Sequence, residues 1–281
     1  MLTWILLIVI VAIIAAVLAF KSMGDFQETP AKFSQRYSLF LIHKPEALTN
    51  ELINELWKKA LPSRQILAFE RLFKGDKEAL VVFGPINLLL AYSEVLGLLE
   101  LEDYSKQKRI AEGQKQSILA WEVGTKNSPY DLVILKNFRS FVPKLMPHEE
   151  FWWQMVLQPL NSGWEEALGK SVFSLQEKTS KRSKNKTDEL KAKEKMSKFQ
   201  AMMRAIVWTE DKKRAQELED ELSKIGKEEG LVVLPQAYSS EQMVQFYQGR
   251  VLPIFISHRF SKKGNLLILS APEIRSLLDL G

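Results

Sequence analysis

Apolar and polar positions follow different periods along this chain, and the changes of period delimit its elements. Leu2–Phe20, LTWILLIVIVAIIAAVLAF, shows no alternation and carries no charge. Nineteen helical residues span about 28 Å at 1.5 Å per residue, close to the hydrocarbon thickness of a bilayer. Trp4 stands near one end, where an indole favours the headgroup boundary. A cleaved signal peptide needs a basic residue before the run and a small-residue cleavage site after it. Met1 leads directly into apolar residues and FKSMGD follows the run, so residues 1–21 are expected to be an uncleaved single-pass anchor. Lys21, Lys32, Arg36 and Lys44 follow the span and nothing basic precedes it. The excess of positive charge on that side predicts a cell-membrane protein whose C-terminal body is cytoplasmic.

Residues 22–36, polar with Gly24 and Pro30, read as a tether. Tyr37–His43 is strand-like. Thr49 can cap a helix with Leu52, Ile53, Leu56, Trp57 and Ala60 on one face. Ile66–Phe73 and Ala79–Phe83 read as a hairpin around Lys74-Gly75-Asp76-Lys77. Gly84-Pro85 opens an apolar helix expected over Asn87–Leu99. Strand, helix, strand, strand, helix is most of a ferredoxin-like split βαβ unit. From 100 to 147 the pattern is weaker, with strands expected at Ser117–Val123 and Leu132–Phe138 around a turn at Asn127-Ser128-Pro129; Asp103–Gly113 has no clear period.

In EEFWWQMVLQP, Phe151, Trp153, Met155 and Leu157 alternate with Trp152, Gln154, Val156 and Gln158, a strand with at least one well-buried face. Pro159 ends it and a helix should follow. Phe199–Trp208 alternates again, and Thr209 is expected to cap a helix burying Ala215, Leu218, Leu222 and Ile225. Further elements are expected at Leu231–Leu234, Glu241–Tyr247 and Pro253–Ser257, and a strand ending in Ile268-Leu269-Ser270 leads into a last helix. Ser270 and Glu273 have capping-box spacing there, and Pro272 suits the first turn. The expected fold class is α+β: an N-terminal transmembrane helix followed by two ferredoxin-like α/β sandwich units, 37–146 and 147–281. No repeat is visible at the level of sequence.

The formal charge of +5 is concentrated. Between Gln176 and Lys198 there are nine Lys/Arg and four acids, 9 − 4 = +5, so the remainder of the chain is neutral. Residues 178–198 read as a solvated charged insertion. Lys178, Lys181, Arg182, Lys184 and Lys186 are the candidate contacts for nucleic acid or anionic lipid, with a soluble connector as the alternative. The chain has no cysteine, which excludes disulfides, thiolate metal sites and a cysteine nucleophile.

Gly169-Lys170-Ser171 ends like a phosphate-binding loop, whose full spacing is G-x-x-x-x-G-K-[ST]. The required first glycine falls on Trp164, and Ser162 with Glu165 has capping-box spacing that starts a helix before the would-be loop. The tripeptide is therefore expected inside a helix, its amides already paired. His43, His148 and His258 have no second ligand at metal spacing and read as surface histidines. Glu149-Glu150 and Glu165-Glu166 read as solvated edges, and Trp152-Trp153 as core. No catalytic residue, cofactor or metal is expected.

PHEEFWWQMVLQPLNSGWEEALGKSV, KFQAMMRAIVWTEDKKRAQELEDEL and LLILSAPEIRSLLDLG together resemble a region of uncharacterised membrane proteins of candidate-phyla bacteria. In those proteins this region precedes the motor of HerA/FtsK-like ATPases related to type IV secretion and conjugation. The resemblance spans about 37–281, more clearly in the second half, and implies a membrane-tethered ferredoxin-like platform. The sequence ends at Leu280-Gly281, where the relatives continue through His-Leu-Pro into the motor, so no catalytic residue is carried over. The implied function is a non-enzymatic accessory protein that positions a separate motor ATPase. A membrane-tethered nucleic-acid-binding protein is the alternative, and homo-oligomerisation is left open.

Overall fold

The computed structural model describes residues 37–107, 117–125, 132–133, 142–160, 188, 191–193, 195–228, 231–233, 239–252, 267–278 and 280. Leu2–Phe20 lies outside them. Among the described residues no helix is long and apolar enough to cross a membrane.

The described chain is α+β, built on one antiparallel sheet of nine strands. These are β1 (Tyr37–Ile42), β2 (Leu67–Lys74), β3 (Lys77–Pro85), β4 (Leu98–Leu101), β5 (Ser117–Thr125), β6 (Glu150–Pro159), β7 (Lys198–Thr209), β8 (Leu231–Val233) and β9 (Leu267–Ser270). Their spatial order is β4-β1-β3-β2-β6-β7-β5-β8, with β9 beside the first residues of β7. The first four strands lie in the order 4-1-3-2, and β5 to β8 repeat that order in mirror sequence. The halves meet where β2 pairs antiparallel with β6, from Leu67 opposite Leu157 to Lys74 opposite Glu150.

This pairing moves β5 out of the half in which a boundary at 146/147 places it. Ser117–Val123 hydrogen-bonds along β7 and Val123–Thr125 along β8, so the second half of the sheet begins near 117. Register across β7 decides the partner, and chain neighbourhood does not. The helix expected over Asn87–Leu99 is also divided. It becomes α2 (Ile86–Leu90) and α3 (Ser93–Leu96), after which Gly97 turns the chain at φ +60° into edge strand β4. Only glycine enters that left-handed region at little cost. β4 supplies the sixth element of the first half.

Alternation in the central strands sorts their side chains onto two buried faces. One face carries Phe40, Phe69, Val82, Trp153, Met155, Phe199 and Val207 under α1 (Asn50–Ala60), α2, α3, α5 (Lys212–Glu228) and α7 (Ala271–Leu277). The other carries Leu39, Val81, Val156 and Met202, then Ala120, Trp152, Ile206 and Trp208 under α6 (Ser240–Gln248). Each aliphatic or Phe side chain fully buried this way contributes roughly 1.5–3 kcal/mol. β6 and β7 are covered on both sides, which is why apolar residues occupy both of their faces. The short helix α4 (Tyr104–Gln107) lies in the segment that had no readable period.

Thr49 caps α1 as expected, its Oγ1 accepting from the Leu52 amide at 3.3 Å. Thr209 does not cap α5. It is the last residue of β7 and donates to Glu149 Oε1 at 3.1 Å, while Asp211 accepts from the Lys213 amide at 2.8 Å. An ionised carboxylate one residue before the first helical amides is the stronger cap. Leu132 and Val133, the described part of the strand expected over Leu132–Phe138, are not in a strand. The helix expected after Pro159 and the strand at Pro253–Ser257 lie outside the described residues.

Candidate functional site

One row of side chains crosses seven strands on the face covered by α6. It runs Leu99, Leu41, Val81, Glu70, Gln154, Arg204, Glu122, from β4 to β5. The first three are apolar and the last four polar, and Glu70, Gln154 and Arg204 are buried at the middle of the sheet. A charge there is costly unless every lone pair and proton finds a partner.

Glu70 meets that condition. Its Oε1 accepts from Gln154 Nε2 and Arg250 Nε, both at 2.9 Å. Its Oε2 accepts from Tyr104 Oη at 2.6 Å and Arg250 Nη2 at 3.4 Å. Four donors fill the sites of one carboxylate. Gln154 Nε2 also donates to the Tyr247 carbonyl at 2.8 Å, and its Oε1 accepts from Arg204 Nη1 at 3.2 Å. Arg204 Nη2 donates to the Val251 carbonyl at 2.5 Å. The Tyr104 proton is committed to Glu70, so Tyr247 donates to the Tyr104 oxygen, 2.5 Å away.

Arg250 closes the network from above. It follows α6 with φ +48°, and its guanidinium pairs with Asp103 through Nη1 and, at 3.1 Å, through Nη2. The same group lies 4.6 Å above the Phe83 ring, which stacks on Tyr37 at 5.4 Å between centroids. Burial alone would lower the Arg250 pKa, but Glu70 and Asp103 outweigh it and hold the guanidinium more firmly charged than usual. Burial opposes ionisation of Asp103 as well, yet Arg250 and Ser105 bring its pKa below the ordinary value. Tyr104 and Tyr247 are pushed well up, by burial first and then by the Glu70 charge.

Beside this network opens a cleft of about 170 Å³, lined by Tyr37, Leu39, Leu101, Asp103, Lys106 and Arg250 among others. Its charged walls are already joined to one another: Asp103 to Arg250, and Lys106 Nζ to Asp103 at 4.0 Å. The arrangement pins α6 and the 101–107 segment to the sheet.

A second buried carboxylate works in the same way on the opposite face. Glu273 Oε1 accepts from the Val133 amide at 2.9 Å and Lys193 Nζ at 2.8 Å. Its Oε2 accepts from the Ser270 amide at 2.8 Å and Ser270 Oγ at 2.6 Å, the pairing expected from the Ser270–Glu273 spacing. Lys193 and Lys198 are buried while Lys191 and Lys195 stay exposed, so the end of 178–198 is not solvated throughout but is fastened to the body at two side chains. An ion pair at one end and the β7 ladder at the other explain the burial. Glu149-Glu150 also departs from a solvated edge. Both are buried, Glu149 against Arg214 at 3.1 Å and Glu150 against Lys74 at 2.9 Å.

Lys178, Lys181, Arg182, Lys184 and Lys186 lie outside the described residues, as do Gly169-Lys170-Ser171, Glu165-Glu166 and His258. His43 and His148 are exposed, and Trp152 and Trp153 are buried. Among the described residues no group of three His, Asp or Glu side chains is placed to hold a metal. The Glu70 network was not expected from sequence, although it had a signal: on their strand faces Glu70 stands between Ala68 and Leu72, and Arg204 between Met202 and Ile206. Arg250, in a polar stretch, had none. No protein-family model and no curated protein matches the chain.

Proposed function

We propose that this protein is a membrane-anchored, non-enzymatic platform that positions a separate HerA/FtsK-like motor ATPase in a type IV secretion or conjugation-like system. On this reading the two 4-1-3-2 halves are ferredoxin-like sandwich units fused edge to edge through β2 and β6, and Leu2–Phe20 holds them at the cytoplasmic face of the membrane. The observation that carries it is the Glu70–Gln154–Arg204–Arg250 network, which joins both halves of the sheet. Donors and acceptors are consumed by one another there, as in a device that stiffens a body. A stiff two-unit sheet transmits position to whatever docks on it. Residues 147–160, 198–222 and 267–278, which include β6, β7, β9 and α7, also lie within the stretches that carry the resemblance to the region preceding such motors.

The test is purification of the full chain from its native membranes under mild detergent. A HerA/FtsK-like ATPase, identified by mass spectrometry, is expected to co-enrich over a control single-pass protein. Its consistent absence, with cross-linking included, overturns the reading.

A further inference from the structure

Strand direction places the start of β1 at one particular end of the sheet. Tyr37 lies opposite Pro85, Leu39 opposite Leu101, Leu67 opposite Leu157 and Pro159 opposite Phe199. The chain therefore arrives from the tether at the same end at which it leaves β6 and rejoins β7. The C-terminal turn of α1 is there too, because Trp57 Nε1 donates to the Lys198 carbonyl at 2.8 Å. Gln158 Nε2 donates to the Arg64 carbonyl at 2.9 Å, which brings the α1–β2 corner alongside.

The exposed charges of this end are mostly of one sign. Lys58, Lys59, Arg64, Lys106, Lys191 and Lys195 are exposed, against Glu100, Glu102 and Asp188. The opposite end, around Ile42, the β2–β3 turn and Thr209, mixes Lys44, Lys74 and Lys77 with Glu46, Asp76 and Glu210. In sequence, the connection leaving and returning at the tether end holds the chain's whole +5 excess between 176 and 198.

We propose that the tether end of the sheet, through Lys58, Arg64, Lys106, Lys191 and Lys195, lies against the anionic lipid headgroups of the membrane that holds the anchor. This rests on the reading of Leu2–Phe20 as an anchor. Residues 22–36 reach at most about 50 Å when fully extended, so this end is held near the bilayer at high effective concentration. Each Lys or Arg near an anionic leaflet strengthens attachment by a factor on the order of five. Five such side chains, each weak alone, then orient the body with its opposite end towards the cytoplasm.

The chain has no cysteine, so single labels report cleanly. Ser63→Cys marks the tether end and Asp76→Cys the opposite end, both in the full chain reconstituted into phosphatidylcholine vesicles with or without phosphatidylglycerol. Acrylamide quenching of a dye at position 63 is expected to fall several-fold when phosphatidylglycerol is present, while position 76 stays accessible. Raised salt, or the combined variant Lys58→Glu, Arg64→Glu and Lys195→Glu, should restore quenching at 63. Equal quenching at 63 in both lipids overturns the inference while leaving the anchor intact. So does equal protection at 76, or protection in which duplex DNA replaces the lipid. Failure of the chain to float with vesicles of either composition overturns the anchor and this inference together.

Discussion

Arg250 Nε donates to Glu70 Oε1 at 2.9 Å across 180 positions of chain, and both side chains are buried. The pair joins the C-terminal end of α6 to the central strand β2, and Asp103 on the same guanidinium adds the segment after β4. Removing one partner of a buried, hydrogen-bonded pair leaves the other charge stranded, at a cost of about 3–5 kcal/mol. Arg250→Met should lose that amount in urea unfolding followed by tryptophan fluorescence. The triple variant Arg250→Met, Glu70→Gln, Asp103→Asn should recover part of it, because no buried charge is then left alone. A single variant of near wild-type stability would show that the network is not what fastens α6.

The strands of this protein were largely legible in its sequence, because a sheet buried on both faces writes itself as long β-branched, aromatic and Met-rich runs. EFWWQMVLQP and KFQAMMRAIVWT fall on β6 and β7. Pairing was not legible. Nothing local in SILAWEVGT says that it lies beside β7, 80 residues on, rather than in the half that precedes it. The network was half legible: Glu70 and Arg204 interrupt apolar faces, but Arg250 and Asp103 become meaningful only once the fold brings them over the row. The Ser270–Glu273 capping box was readable because it is local. Its second role, accepting from Lys193, was not, because that contact is between residues 80 apart.

Glu273 should therefore matter beyond its helix. Losing a cap costs about 1 kcal/mol, whereas stranding the buried Lys193 ammonium costs about 3–5 kcal/mol. Glu273→Ala is expected near the larger figure. The pair Lys193→Met with Glu273→Gln should fall well short of it, since the apolar stem still packs and the amide can still meet Ser270. Limited trypsin digestion gives an independent readout. Cleavage after Lys193 should be slow in the parent chain and fast in Glu273→Ala.

Gly97 tests the division of the expected single helix into α2 and α3. At φ +60°, a Cβ would stand 3.2 Å from the His43 Cβ, and the left-handed backbone itself disfavours a side chain. Gly97→Ala is expected to cost about 1–2 kcal/mol, read as a fall in melting temperature. Gly97→Asn should cost less, because asparagine tolerates this region better. If alanine were neutral, the turn into β4 would have to be made in another way.

The paired tyrosines make stability fall at high pH. Burial, and then the Glu70 charge, hold Tyr104 and Tyr247 well above the ordinary phenol value of 10.0 in the folded chain. In the unfolded chain they ionise at that ordinary value. The unfolded state therefore binds fewer protons once the pH exceeds about 10, and the slope of stability against pH turns negative there. Below that pH the contribution is fully present, and it is lost as the pH rises towards the folded values. In an absorbance titration these two of the six tyrosines should ionise only together with unfolding, in a step steeper than a simple titration. Tyr104→Phe should remove one late phenol from that step and also leave Glu70 one donor short, lowering stability by about 1–3 kcal/mol at neutral pH. Asp103 and Glu149 set the other limit. Arg250 and Ser105, and the Met146 amide with Arg214, hold their pKa values down against burial. Their contribution is complete above the ordinary carboxylate values and is lost as the pH falls through the lowered folded ones. Tyrosines that titrate smoothly at their ordinary value in the folded chain would contradict the buried pair.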